Sequence, residues 1–371
     1  MKVIIAAAGT GGHINPGIAI ANKIMKEEPK SKIEFIGTNR NLEKDLVPRA
    51  GYKLRTINAY GIERKITINN LKNLYATYKS ISEAKKILEE FRPDIVIGTG
   101  GYICIPVVIA AKKLGIPVIL HESNAFPGVA VKLLKKKADK ILVGFNEAKE
   151  RLIGATNVVV TGNPVKIKKL YLNQIEFEEA RENLGFEVDK PLVLAFGGSQ
   201  GAQSINKSLL EIIVNKKNKD YQIIWAAGPE QYEKIKNKLL ELHMNIDEIK
   251  NVKILPYIYN MEEVMNVCDL VVCRSGAMTI TEIAVVQKPA IFIPFPFATE
   301  NHQEYNAKVL ENVGAAKIIL DKDLNSEILE KTIESIVNNK EILKQMEINA
   351  AKVDMPKVEE RIYKEIKEIV K

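Results

Sequence analysis

Short apolar runs alternate along the chain with longer segments whose apolar residues recur at helical spacing, the pattern of βαβ units feeding a parallel sheet. In the first half the runs are VIIAAA at residues 3–8, KIEFIG at 32–37, DIVIG at 94–98, PVILHE at 117–122 and KILVGF at 140–145. A more polar, Lys- and Glu-rich stretch between residues 145 and 191, containing VVVTGNP at 158–164, interrupts the pattern. PLVLAFGGSQGAQSINKSLLEII at 191–213 then restarts it as strand, glycine loop and amphipathic helix, and YQIIWAAG, NVKILPYI, DLVVC and PAIFIPF continue it. This echo is one unit long in each half, not a repeat of solenoid period. The charged segment 336–371 reads as helical, with Ile362, Ile366 and Ile369 at helical spacing near its end.

The pattern predicts an α/β fold of two Rossmann-like domains whose parallel sheets face each other across a cleft. The expected domains are residues 1–163 and 164–340, with a helical segment 341–371 packing back towards the N-terminal domain. Functional loops should follow the strand C-termini.

A length of 371 residues supports two domains, and 46% hydrophobic with 27% charged residues is an ordinary globular mixture. The formal charge of +8 arises from 54 Lys and Arg against 46 Asp and Glu. Such a balance suits nucleic acid, anionic lipid or phosphorylated substrates alike. Aromatics at only 6% argue against stacking on single-stranded nucleic acid. Cys104, Cys268 and Cys273 have no CxxC spacing and lie in apolar segments, which reads as buried thiols in a reducing compartment. The opening run stops at Gly9, too early for a signal peptide, and no stretch approaches the roughly 18 apolar residues of a membrane span. A cytoplasmic protein is expected, one that can still lie on a membrane surface. The stretch 61–80 suits that role, with Ile62, Ile66, Leu71, Leu74, Tyr75 and Tyr78 among Arg64, Lys65, Lys72 and Lys79. A core-packed helix with a solvated lysine face is the plainer reading of the same pattern.

The chemistry begins in residues 3–17, where strand, glycine turn and helix follow one another and Pro16 is read as opening the helix. Backbone N–H groups at such a turn favour an anion, and His13 stands beside them. A helix N-terminus disfavours imidazolium, so His13 should be neutral, as a general base must be. The dinucleotide fingerprint fails, because GxGxxG from Gly9 would need glycine at Ile14, and Thr38 stands where NAD binders place an acid.

GGSQG at 197–201 matches a hydrolase nucleophile elbow, with Asp269 and His302 downstream in triad order. The HGGG-type oxyanion loop is missing, and a hydrolase leaves the first glycine loop without a role. Contact of Ser199 with a phosphate or hydroxyl suits both loops. RSGAMTITE at 274–282 puts Ser275 and Gly276 at another helix start suited to a pyrophosphate. Glu282 follows two turns later, about 9 Å along the helix, where it could hold a ribose diol. ATENHQEYNA at 298–307 offers Gln303 and His302 to sugar hydroxyls, and GTGGY at 98–102 and HESN at 121–124 add polar loops in the first domain. Asp321 and Asp323 form the sole DxD pair, read as turn and capping chemistry, and no histidines have ligand spacing, so no metal is expected.

Taken together, AAGTGGHINPGIAIA, GTGGYICIP, HESNAFPG, TGNPV, GGSQGAQSIN and VVCRSGAMTITEIA followed by NHQEYNA resemble the MurG family, in order from residue 3 to about 316. These are UDP-N-acetylglucosamine:lipid I N-acetylglucosaminyltransferases of peptidoglycan synthesis. The resemblance implies a GT-B fold, inverting and metal-independent transfer with no cofactor, and peripheral attachment at the cytoplasmic face of the cell membrane. It also implies a lipid-linked muramyl-pentapeptide acceptor, no nucleic acid, and other cell-wall enzymes as further partners. It places an acceptor and membrane side in the first domain and the UDP-GlcNAc site in the second.

The implied donor contacts are Lys166, Ser199, Gln200, Ile258 for uracil, the loop of Ser275, Gly276, Ala277, Met278 and Thr279 for diphosphate, Glu282 for ribose and Gln303 for the sugar. Thr10, Gly11, Gly12, Tyr102, His121, Glu122 and Asn124 fall on the sugar and acceptor side, and His13 matches the proposed base. Two positions depart from the family. Lys166 stands where many members have Arg, and lysine cannot make the bidentate phosphate fork. The loop before His302 is slightly longer, which loosens the alignment of Gln303. Other readings of the same residues are a GT-B lipid glycosyltransferase, a UDP-GlcNAc epimerase, a serine hydrolase using Ser199, and a UDP-sugar sensor without turnover.

Overall fold

The structure, a computed structural model, describes residues 1–59, 68–249 and 251–370, giving the backbone alone at residues 68–78 and 247. The chain divides into two units, Met1–Lys166 with Met355–Lys371, and Ile167–Asp354. In the basic stretch 61–80, the side chains from Ile62 to Tyr78 lie outside the described residues.

The first unit runs β1 (Lys2–Ala6), α1 (Gly11–Glu27), β2 (Lys32–Gly37), α2 (Glu43–Arg49), β3 (Lys53–Thr56), α3 (Ile68–Phe91), β4 (Ile95–Gly98), α4 (Cys104–Lys113), β5 (Val118–Glu122), α5 (Val129–Leu134), β6 (Lys140–Val143), α6 (Asn146–Arg151) and β7 (Val158–Val160). Its seven strands form one parallel sheet in the order β3-β2-β1-β4-β5-β6-β7. Alternate residues of β1 serve opposite cores. Ile4 and Ala6 pack with Val96 and Leu120 on one face, and Val3 and Ile5 with Ile95 and Ile97 on the other. Burial on both faces is why the central strands read as unbroken apolar runs.

The second unit holds α7 (Gln174–Asn183), β8 (Leu192–Phe196), α8 (Gln203–Val214), β9 (Gln222–Ala226), α9 (Pro229–Glu241), β10 (Val252–Leu255), α10 (Met261–Val267), β11 (Leu270–Cys273), α11 (Ala277–Val286), β12 (Ala290–Phe292), α12 (His302–Asn312), β13 (Ala316–Ile318), α13 (Ser326–Val337) and α14 (Lys340–Ala350). Its parallel sheet runs β10-β9-β8-β11-β12-β13. Both sheets therefore reverse strand order once, between β1 and β4 and between β8 and β11, and the loops after those strands are the expected ligand positions.

Three expectations change. Helix α1 starts at Gly11, not at Pro16, because the Thr10 carbonyl already accepts the His13 and Ile14 N–H groups at 3.0 and 3.2 Å. The segment 341–371 does not act as one piece: α14 stays with the second unit, and only α15 (Val358–Ile369) returns to the first. There Ile362 and Ile366 are buried against the α1 side of the sheet. Lys23 pairs with Glu360 at 2.8 Å, and Lys140 pairs with Glu365 and Glu368. Glu28 accepts from Lys367 at 2.7 Å and from the Tyr363 hydroxyl at 2.9 Å, and the Lys367 bond leads the causes that draw its carboxyl down to about 2. Finally, two strands absent from the apolar pattern, β3 and β13, form sheet edges.

Candidate active site

In the first unit, β1 ends at Ala6 and the chain turns through Gly9, at φ +101°, to place His13 in the first turn of α1. His13 Nδ1 lies 3.1 Å from the Ala8 carbonyl. A carbonyl only accepts, so Nδ1 carries the proton and, in the neutral ring, Nε2 carries the lone pair. The second glycine loop, after β4, is part of the same seat. A Cβ on Gly100 would stand 2.4 Å from His13 Cδ2, and one on Gly101 would stand 2.5 Å from the Ala8 oxygen. Thr99 Oγ1 donates to the His13 carbonyl at 2.7 Å. Glycine at these positions leaves the imidazole its space.

One donor of the expected anion cradle is already engaged inside the protein. The Gly9 N–H donates at 3.0 Å to Glu43, a fully buried carboxylate at the start of α2. Thr10 is exposed, and Gly11 and Gly12, as the first helical residues, present N–H groups without intrahelical acceptors. Tyr102 is half-buried, and its hydroxyl accepts from Asn41 Nδ2 at 3.0 Å.

His121 and Glu122 end the buried strand β5 and lie behind the loop surface, which corrects their expected direct contact with acceptor. Burial pushes the His121 imidazole down to about 4, and its Nε2 approaches the Gly162 carbonyl at 3.4 Å. Glu122, raised above the usual carboxylate range by burial, accepts from the Asn124 backbone N–H at 2.9 Å, the Asn124 amide at 3.0 Å and the Gly128 N–H at 2.7 Å. Asn124 is thus the half-buried member that Glu122 holds in place.

In the second unit a cavity of about 680 Å³ opens beyond the C-terminal ends of the paired strands β8 and β11. Gly197, Gly198 and Gly201 line it after β8, and Gly276 and Thr279 line it at the start of α11. The glycine loop is pressed against backbone: a Cβ on Gly201 would stand 1.9 Å from the Ala227 oxygen. Ser199 and Gln200 are exposed in the turn between the lining glycines. Ser275 is fully buried and gives its hydroxyl to the Gln303 carbonyl at 2.8 Å, so the α11 start offers the cavity Gly276 and Thr279 instead. Ala277 is buried and Met278 half-buried on the same turn. Glu282 lies further along α11, its carboxyl pushed up to about 7 by burial. Gln303 lines the cavity with its Oε1 accepting the Phe295 N–H at 2.9 Å, which leaves the amide nitrogen to meet a ligand. The Ile258 side chain is 3% exposed between two exposed tyrosines, so any contact with a base falls to its backbone. Lys166 is exposed at the end of the first unit and is not part of this cavity wall.

Sequence reasoning missed the cavity's main ionic feature. Arg274 donates to the Ile293 and Pro294 carbonyls at 3.0 and 3.2 Å, to Ser204 Oγ at 3.0 Å and to Asp321. Ser204 in turn donates to Asp321 at 2.6 Å. Asp321 is therefore a wall residue, not a cap; Asn325 caps α13 by accepting the Ile328 N–H. Only the DxD spacing hinted at Asp321. The hydrolase triad fails on topology: Ser199 follows the C-terminal end of β8, whereas Asp269 precedes β11 at the opposite end of the parallel pair. There Asp269 accepts the Leu192 N–H at 2.7 Å and pairs with Arg181. All three cysteines are free and buried.

Residues 3–143 match the glycosyltransferase family 28 N-terminal domain, and residues 192–362 match the family 28 C-terminal domain. The chain is 44% identical over 369 residues to the UDP-N-acetylglucosamine–N-acetylmuramyl-(pentapeptide) pyrophosphoryl-undecaprenol N-acetylglucosamine transferase of Thermoanaerobacter sp. (strain X514), covering 100% of both chains. Against the protein of the same name from Acetivibrio thermocellus it is 43% identical over 372 residues, covering 100% of this chain and 99% of that one. Its structure is similar to the crystal structure of Acinetobacter baumannii MurG, with a TM-score of 0.79, 28% identity and 99% of each chain covered.

Proposed function

The chain belongs to the MurG family of glycosyltransferase family 28, and from that premise we propose how its two sites divide one reaction. The enzyme transfers N-acetylglucosamine from UDP-GlcNAc to the muramyl sugar of lipid I, forming lipid II. The first unit takes the acceptor, with Thr10, Gly11, Gly12, Tyr102 and Asn124 around it. The second takes the donor: Ser199, Gln200 and the α11 start at the diphosphate, Glu282 at the ribose, Gln303 at the sugar and the Ile258 backbone at the uracil. Lys166, outside the wall of the donor cavity, is given no phosphate role.

His13 Nε2 removes the proton from the muramyl 4-hydroxyl as that oxygen attacks the anomeric carbon. The bond from that carbon to the UDP oxygen breaks with inversion, and the diphosphate keeps the electron pair. Backbone N–H groups at the α11 start and the Ser199 turn meet the charge that develops on the leaving group. No step is routed through a metal.

The observation that carries this reading is the Nδ1 bond of His13 to Ala8, which leaves Nε2 as the basic nitrogen. Replacing His13 by Ala should lower UDP release with a lipid I analogue by roughly 10²- to 10⁴-fold. Near-wild-type turnover would refute the base role.

Among the described residues, no helix is long and apolar enough to cross a membrane. Peripheral contact with the cytoplasmic membrane face is assigned to α5 and its surroundings, where Leu133 is 62% and Ile153 81% exposed. Lys132 and the run Lys135, Lys136 and Lys137 flank Leu133 in sequence, and Lys135 bonds the Ile153 carbonyl at 2.6 Å. Such a mixture of apolar and basic groups suits an anionic interface. Flotation with vesicles containing phosphatidylglycerol should weaken in the double variant Leu133→Glu, Ile153→Glu; unchanged flotation would remove this surface from consideration.

A further inference from the structure

The loop between β2 and α2 contains a charged, helix-start residue that neither site uses directly. Glu43 is fully buried, and both its oxygens are occupied. Oε2 accepts the Gly9 N–H at 3.0 Å, and Oε1 accepts the Thr38 N–H at 3.1 Å and the Thr38 hydroxyl at 2.6 Å. Its side-chain stem fills space that only glycine at residue 37 leaves open, since a Cβ there would stand 2.9 Å from Glu43 Cγ.

The Gly9 N–H belongs to the same planar peptide unit as the Ala8 carbonyl, and that carbonyl holds His13 Nδ1. A carboxylate, one peptide group and the imidazole thus lie in series: Glu43 accepts from the N–H end, and the C=O end accepts from His13. Withdrawing the N–H towards an anion increases the negative charge on the carbonyl oxygen, which strengthens its grip on Nδ1–H. Carboxylates that orient a histidine directly act in the same way on tautomer and ring position. Two residues earlier in the loop, Asn41 ties to Tyr102 beyond the second glycine loop, so the segment braces both walls of the imidazole seat.

We propose that Glu43 is a positioning residue for His13, acting through the Ala8–Gly9 peptide. The inference rests on the reading of His13 as the base. A carboxylate is required because three donors converge on it; glutamine would bring one acceptor oxygen and an NH₂ group that opposes an incoming N–H.

The test is a set of four enzymes: wild type, Glu43→Gln, His13→Ala and the double variant, assayed with UDP-GlcNAc and a lipid I analogue. Glu43→Gln should lower kcat about 10- to 100-fold, with KM for UDP-GlcNAc within about twofold, because the donor cavity belongs to the other unit. In the His13→Ala background the same change should cost nothing further, since the group it positions is gone. An unchanged kcat, a matching rise in donor KM, or full additivity with His13→Ala each overturns the proposal. A fully active His13→Ala enzyme instead sinks the base reading, and this proposal with it. If Glu43→Gln does not fold, Thr38→Val removes one of the competing donors while keeping the carboxylate. It should alter kcat alone, by a few-fold, and an unaltered kcat in that variant likewise overturns the proposal.

Discussion

The two units place their functional loops at the same topological position, between β1 and β4 in one and between β8 and β11 in the other, yet they fill it differently. In the first, glycines make room for a side chain, with Gly100 and Gly101 against His13 and its carbonyl partner. In the second, they let backbone meet backbone, with Gly201 against the Ala227 oxygen. The first loop gives the N–H of Gly9 to an internal carboxylate and seats the half-buried His13. The second keeps its principal cation, Arg274, neutralised by Asp321 at the wall of an open cavity. One strand order therefore seats an imidazole in one unit and walls an open cavity in the other, according to what occupies the turn. Donor and acceptor chemistry can then be perturbed separately.

The largest expected effect is at Gly201. Alanine there combines φ +75° with a Cβ 1.9 Å from a carbonyl, and should destabilise the protein by roughly 3–4 kcal/mol and abolish UDP binding. Calorimetric unfolding with UDP titration measures both; tight UDP binding by this variant would break the contrast drawn above. Gly100→Ala comes next. Its Cβ would push on the imidazole, so kcat should fall about 100-fold while KM for UDP-GlcNAc holds. A comparable rise in donor KM would mean that the two loops are not separable in function.

The smallest effect is a pH dependence. The Glu282 carboxyl sits at about 7, so it is increasingly protonated as pH falls through that value and accepts less well from ribose hydroxyls. The dissociation constant of UDP-GlcNAc, whose diphosphate diester does not titrate in this range, should rise a few-fold from pH 8 to pH 6 in the wild type and stay flat in Glu282→Gln. A wild-type curve as flat as the variant's would remove Glu282 from the ribose.

Much of the fold was legible because its central strands are buried on both faces and so appear as apolar runs. One edge of each sheet was not: β3 is KLRT and β13 is AKI, short segments whose Lys and Arg side chains reach water and break the run. At the sites, glycine and histidine announced themselves through spacing. Polar residues at or just beyond a strand end did not reveal which way they point, so His121, Glu122 and Ser275 looked like ligand contacts although all three are buried. Glu43 was hidden for the opposite reason. It stands in NLEKDLVPR, among other charged residues, and only the meeting of two distant loops gives it an interior role.

The return of α15 to the first unit sets an order of events during synthesis. Residues 167–354 are synthesised before 358–369, so the sequence of the second unit is complete while the first still lacks the helix that covers Ile20 and Ile24. Although its amino-terminal unit is translated first, it is the second to be completed, and it presents an uncovered apolar face until Ile362 and Ile366 arrive. A released chain truncated before residue 358 should therefore keep a second unit able to bind UDP while its first unit is a substrate for chaperones.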